Sequence, residues 1–248
     1  MRRLLAILNP NRILPIISFV LVSACVAAIA IVGSGVGGQT TASKTNNKAV
    51  FSTNTSGNFI ALLFNATEPS TAVSTVADTK TNSYGAGDIT PYAADMGTTF
   101  YQYSAMNIAN SATPNTVTIT IDDYANYFTA GAGEFSGIAL TGALDKTCSN
   151  QTTGTSVTCN LGTLSQASEL VVAQCSNAAV APTPGSGWST LYDPSTGDLY
   201  IYKIVSSTTD PVPTCDASSS SGFAITAASY KAAAGEAPSL RRRVIIIQ

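Results

Sequence analysis

The 248-residue chain predicts an all-β fold, an antiparallel sandwich of jelly-roll-like kind, on three observations. Thr116-Val117-Thr118-Ile119-Thr120-Ile121 alternates apolar and polar β-branched residues without a break, the pattern of a strand with one buried face. Further short apolar or aromatic segments follow at intervals, separated by turn clusters such as Ala112-Thr113-Pro114-Asn115, Pro182–Gly187 and Asp193-Pro194-Ser195-Thr196-Gly197. Helical character is confined to two short candidates, Ala125–Thr129 and Ser229–Ala234. Many short strands with Gly/Pro/Ser-rich turns lead to a sandwich or jelly roll.

Taken in order, the chain opens with Arg2, Arg3 and Arg12 before an uncharged apolar run, Ile13–Val32. A basic region followed by an apolar region is the form of a secretory signal. The run is also long enough to span a bilayer. Ala28-Ile29-Ala30 has the A-x-A form of a cleavage site, so cleaved export is favoured over a retained anchor, and residues 1–30 are assigned to either role. Val22-Ser23-Ala24-Cys25 resembles a lipobox, but apolar residues follow Cys25, which is read as a small apolar residue of the run.

Residues 31–56 form a small, polar tail with one apolar knot, Ala49-Val50-Phe51. Such a segment cannot offset the cost of its own ordering. It is expected to lie along a sheet edge, either its own or that of the next subunit, and Lys48, Ala49, Val50 and Phe51 are the candidate donor strand. Next come the strand candidates Phe59–Phe64, Phe100–Ile108, Thr116–Ile121, Phe135–Leu140, Leu170–Cys175, Leu199–Val205, Phe223–Ala228 and Val244–Gln248. Residues 57–248 are read as one sandwich domain in which 146–220 is an insertion carrying four cysteines.

Those four, Cys148, Cys159, Cys175 and Cys215, are an even set in an exported chain, which favours two disulfides. The simplest pairing is Cys148–Cys159 and Cys175–Cys215, and the other two pairings stay open. No C-x-x-C pair is present, and with no histidine a mixed zinc site has no nitrogen ligand. Asn54-Thr55-Ser56, Asn65-Ala66-Thr67 and Asn150-Gln151-Thr152 are sequons, so N-linked glycans are expected at Asn54, Asn65 and Asn150.

The absence of histidine also removes Ser-His-Asp and Cys-His chemistry. Asp122-Asp123 is the only adjacent acidic pair, and neighbours on a strand point to opposite faces, away from a shared substrate bond. The pair is read as the N-cap of a short helical turn at Tyr124–Phe128. Asp193, Asp198 and Asp210 lack the spacing of a calcium loop and are read as turn residues. Gly131-Ala132-Gly133 is followed by Glu134 and Phe135, unlike a phosphate-binding loop. The sequence therefore predicts no enzyme, no cofactor and no metal. Between Ile31 and Leu240, six lysines stand against fourteen acids, a net charge of −8, which argues against nucleic-acid binding.

What remains is a low-charge, Thr/Ser-rich β-domain suited to close packing of copies. The stretch Tyr101–Asn110, then Thr116–Ile121, then Tyr124–Phe128 leading to Phe135–Leu140, resembles the TasA/camelysin family of biofilm-matrix fibres. It is also similar to archaeal extracellular filaments of related design: bundling pili, threads and cannulae. The export signal, small-residue junction, short N-terminal strand and terminal Val244–Gln248 add to that likeness, which covers about half the chain. The cysteine-bearing section departs from the family pattern. The resemblance implies an extracellular structural subunit that polymerises with copies of itself, in adhesion or biofilm, and meets a membrane only through residues 13–32 before processing. On this view Arg241, Arg242 and Arg243 guard the VIIIQ edge and meet the acidic body of a neighbour at an interface; the plain alternative is a solvated charge cluster. The rival function is a membrane-anchored or surface-layer-associated β-domain that binds glycans or a partner protein.

Overall fold

The computed structural model describes residues 28–37, 39–40, 43–67, 72–125 and 127–234, and these contain strands and no helix. The first half of the chain forms β1 (Ala30–Gly37), β2 (Gln39–Thr40), β3 (Ser43–Phe51), β4 (Phe59–Thr67), β5 (Val73–Asp78), β6 (Tyr92–Ala94), β7 (Thr98–Ala105), β8 (Asn115–Ala125) and β9 (Tyr127–Ser136). The second half forms β10 (Leu144–Thr158), β11 (Glu169–Asn177), β12 (Thr183–Pro184), β13 (Ser189–Tyr192), β14 (Asp198–Val205) and β15 (Thr214–Lys231). All pairings are antiparallel. One sheet runs β5-β8-β3-β1-β9-β4-β7-β6 with β2 also on β9, and the other runs β10-β15-β11-β14-β13 with β12 also on β15.

The character of β4 follows from where it sits. Its run Phe59-Ile60-Ala61-Leu62-Leu63-Phe64 is apolar at every position, and every residue is buried. Ile60, Leu62, Phe64 and Ala66 enter one core with Phe51, Val117, Ile119 and Ile121 of β3 and β8. Phe59, Ala61 and Leu63 enter a second core with Leu170, Val172, Tyr200 and Tyr230 of β11, β14 and β15. A strand covered on both faces has no reason to alternate. By contrast β8 buries Val117, Ile119 and Ile121 and turns the threonines between them outward, the alternation its sequence displays.

The second sheet repeats this two-faced packing. Leu170 and Val172 face the second core, while Val171, Ala173 and Cys175 enter a third with Val157, Leu161, Phe223 and Ile225. That outer face is roofed by the chain itself. Cys148 and Cys159 are 11 residues apart, which in extended chain reaches about 36 Å, yet their Cα atoms are 5.8 Å apart. The β10–β15 ribbon therefore folds back on itself, and the register break lies between Gly154 and Ser156. Past it, Ser156–Thr158 pair with Thr214–Asp216 and Val157 and Cys215 lie in the third core. Two disulfides fasten the returning ribbon, Cys148–Cys159 and Cys175–Cys215, the simplest pairing expected from the sequence.

Several expectations are corrected. Ala125–Thr129 is no helical turn: β8 runs through Ala125 and β9 starts at Tyr127, so Asp122-Asp123 lie in a strand and cap no helix. Ser229–Ala234 is no helical turn either, because β15 continues to Lys231 between β10 and β11. The strand expected at Phe135–Leu140 is displaced: β9 ends at Ser136 and the chain turns at Gly137, whose φ is 75°. Residues 146–220 are not an excursion from a sandwich; with 221–231 they make the body of the six-stranded sheet.

The sequence understated β9. Ala130-Gly131-Ala132-Gly133 has low strand propensity, but larger side chains do not fit there. A Cβ on Gly133 would come within 2.6 Å of Leu191 Cδ1, and one on Gly131 within 3.0 Å of Tyr192 Cβ. Packing against β13 sets the composition of this strand.

Candidate functional site

The N-terminal strands occupy the middle of the larger sheet. Lys48, Ala49, Val50 and Phe51, the candidate donor strand, pair with Thr118, Val117, Thr116 and Asn115 of the same chain's β8. Phe51 is buried in the first core, while Val50 is exposed. On its other side the end of β3 meets β1, through Val36 opposite Val50 and Gly37 opposite Ala49. β1 in turn lines β9, from Ala30 opposite Ser136 to Gly35 opposite Ala132, and β2 continues along it with Gln39 opposite Thr129 and Thr40 opposite Phe128. The N-terminal segment thus covers one edge of β9 from Phe128 to Ser136.

This seam is held by main chain more than by side chains. Ile29 is buried in the second core, but Ile31 and Val32 are 39% and 49% exposed. The next residues, Gly33, Ser34 and Gly35, have little to bury. Entry of the segment depends on Gly137, where a Cβ would stand 2.4 Å from the carbonyl oxygen of Ala28. Removing the segment would leave a row of unpaired main-chain groups on β9, an edge ready to pair with another strand.

Beside this seam lies a buried carboxylate that sequence reading passed over. Glu134 of β9 is 1% exposed. Asn54 Nδ2 donates to its Oε2 at 2.6 Å, and Asn58 Nδ2 and the Thr55 amide donate to Oε1 at 2.7 and 2.8 Å. Buried charge requires such partners, and the three donors lock the loop between β3 and β4 onto β9. The signal in the sequence was one charge inside an otherwise small and apolar segment, Gly131-Ala132-Gly133-Glu134-Phe135.

A second polar cluster sits between the two sheets. Asn65 and Thr129 are directly opposed on β4 and β9. Thr129 Oγ1 is 2.6 Å from Asn65 Oδ1 and 2.8 Å from Asp198 Oδ2, and Asn65 Nδ2 donates to Asp198 Oδ1 at 2.7 Å. The Tyr200 hydroxyl donates to Thr129 Oγ1 at 2.8 Å. All four side chains are at most 3% exposed. Burial raises the Asp198 carboxyl above the usual range, against the opposing pull of the Ser176, Thr129 and Asn65 hydrogen bonds. Alongside is a cavity of about 250 Å³ lined by Asn65, Thr98, Tyr127, Ser176, Asn177 and Asp198, among others.

These clusters correct the glycosylation reading. Asn54 and Asn65 have their amides committed to buried carboxylates, which leaves no room for a glycan in the folded chain. Asn150 is the exposed one, on β10, with Nδ2 donating to the Thr158 carbonyl at 2.7 Å. Of the acids read as turn residues, Asp193 does accept from the Ser195 amide at 2.7 Å, but Asp198 is interior. No group of three or more metal-ligating side chains occurs among the described residues.

A third carboxyl, Glu169, opens β11 and is fully buried. Burial, with the nearby Asp145 carboxylate adding to it, pushes the group up to about 7. Asp88, between the sheets, is raised by burial too, although Tyr230 and Ser104 hydroxyls donate to it at 2.7 and 3.0 Å.

Arg241, Arg242, Arg243 and the VIIIQ segment lie outside the described residues, as do residues 1–27. No described helix is long and apolar enough to cross a membrane. Two disulfides suit an oxidising, extracellular environment. No protein family, curated protein or solved structure matches this chain.

Proposed function

We propose that this protein is a non-enzymatic structural subunit of an extracellular filament, a pilus- or thread-like fibre acting in adhesion or biofilm. Copies join head to tail by donor-strand complementation, and the fold is a jelly-roll-like sandwich with a strand-donating tail. The observation that carries this reading is the seam between β1 and β9: a strand held mainly by main-chain pairing, on an edge that is open without it. Supplied by a neighbouring copy, the same pairs would join two subunits, and repetition of that heterologous contact gives an open filament. The donating strand is then Ala30–Gly37, because Lys48–Phe51 is tied to β8 and anchored by Phe51 in the core. Cleavage after Ala30 would leave Ile31–Gly37 as a free N-terminal strand. Arg241–Arg243 enter as the contact that orients a neighbour's acidic body.

The test is electron microscopy of the mature chain beside a chain that starts at residue 38. Filaments from the first and folded monomers from the second are expected, with the monomers binding a synthetic peptide of residues 28–40. Filaments of normal length from the shortened chain, or only monomers from the mature one, would sink the proposal. The second reading, an anchored or surface-layer-associated domain that binds glycans, is favoured by the polar cavity beside Tyr127, Asn177 and Asp198; it would gain if Ile13–Val32 is retained in the mature protein.

A further inference from the structure

The cluster between the sheets has an arrangement that structural hydrogen bonding alone does not require. Thr129 carries one hydroxyl proton and faces two acceptors, Asn65 Oδ1 at 2.6 Å and Asp198 Oδ2 at 2.8 Å, while it already accepts from Tyr200. That one proton serves a single acceptor at a time, and an ionised Asp198 is the stronger of the two. Asp198 also touches the amide nitrogen of Asn65 through its other oxygen, at 2.7 Å. One carboxyl group therefore bridges a hydroxyl nucleophile and the nitrogen of a primary amide, and that hydroxyl already contacts the amide's carbonyl. These are the three groups needed for intramolecular acyl transfer, within hydrogen-bonding reach of one another.

We propose that Thr129 and Asn65 become joined by an ester bond between β4 and β9. Thr129 Oγ1 attacks Asn65 Cγ as the ionised Asp198 carboxylate takes the hydroxyl proton on Oδ2. The tetrahedral intermediate collapses when Asp198 passes that same proton on to the departing nitrogen. A C–O bond forms, the C–N bond breaks and one ammonia leaves. The carboxyl ends in its starting state, and no oxidant, metal or cofactor is consumed. The Tyr200 hydroxyl holds Oγ1 in place as a positioning group. Reach is sufficient, since directly opposed residues on antiparallel strands hold their Cβ atoms about 5 Å apart. The released ammonia has a way out, because Asn65 and Asp198 line the adjoining cavity. Once formed, the ester lies among side chains at most 3% exposed. This inference stands whether or not the protein forms filaments.

Mass spectrometry of the full chain tests it directly. After reduction and proteolysis, the peptides carrying Asn65 and Thr129 should appear as one linked species, lighter than their sum by one ammonia and separated by alkaline hydroxylamine. Thr129→Ser should keep the link, and Thr129→Val should yield both peptides unlinked. Asp198→Asn should be folded and at least tenfold poorer in linked product. Wild-type protein in which both peptides are found separate, at full mass, overturns the ester. A link of equal yield in Asp198→Asn overturns the proton relay assigned to that residue.

Discussion

Replacing Glu169 with glutamine should change how stability depends on pH, and the direction follows from burial. The carboxyl stands at about 7 in the folded chain against an ordinary value of 4.5. The folded state therefore holds this proton more tightly than the unfolded state, and Glu169 contributes its full stabilisation below pH 4.5. That contribution is lost as pH rises through 7, where the folded chain must ionise a buried acid or unfold. A gap of this size corresponds to about 3 kcal/mol. Asp145, on the same side, is only half-buried, and solvent screening there reduces the figure to about 2 kcal/mol. The assay is urea or guanidinium unfolding with disulfides intact, at pH 5, 6, 7, 8 and 9. Wild-type protein should lose about 2 kcal/mol more than Glu169→Gln across that range, with most of the loss between pH 5 and 7 and little further change above it. Asp88 and Asp198 are raised as well, but both proteins share them, so the difference isolates Glu169. Parallel curves for the two proteins, or a variant less stable than wild type at pH 9, would refute the reasoning.

Other expectations follow from single features. Converting Cys175 and Cys215 together to alanine opens a 40-residue loop and should cost about 4 kcal/mol in denaturant unfolding, against about 3 kcal/mol for the 11-residue loop of Cys148 and Cys159. Glu134→Ala strands the amides of Asn54 and Asn58; a loss of about 3 kcal/mol is expected, with a smaller loss for Glu134→Gln. In the native host, Asn150→Gln should remove any N-linked glycan from the intact mass. Asn54→Gln and Asn65→Gln should leave glycan mass unchanged and lower stability by about 1–3 kcal/mol, because each disrupts a hydrogen-bonded buried carboxylate.

Legibility in the sequence tracked how local the signal is. Alternation along Thr116–Ile121 and the apolar runs of β4, β11 and β14 placed those strands, since burial on one face or two writes itself into neighbouring residues. Spacing made Cys148–Cys159 with Cys175–Cys215 the simplest disulfide pairing but left two others open, and the fold chose among them. β9 was hidden because its glycines answer to Leu191 and Tyr192, about sixty residues away in sequence. β10 was hidden because it is a polar sheet edge, Ser149-Asn150-Gln151-Thr152-Thr153, whose partner begins beyond residue 213. The buried clusters needed the fold itself: Asn65 and Asp198 are separated by 133 positions, and nothing near either one announces the other. Two sequons were misread for the same reason, as an asparagine beside threonine reads identically on a surface loop and inside a sheet.

The folded-back ribbon also bears on what happens when the molecule is pulled. A disulfide removes the residues it encloses from the length that tension can draw out. Between Cys175 and Cys215 that is 40 residues, or about 130–140 Å of contour, and Cys148 to Cys159 withholds a further 11, about 36–40 Å. Stretched from its two ends, an oxidised chain would come taut with roughly a quarter of its described residues still looped, whereas a reduced one would run on. In a fibre of such units, redox state would set the distance over which an overloaded subunit yields before the load passes to covalent bonds.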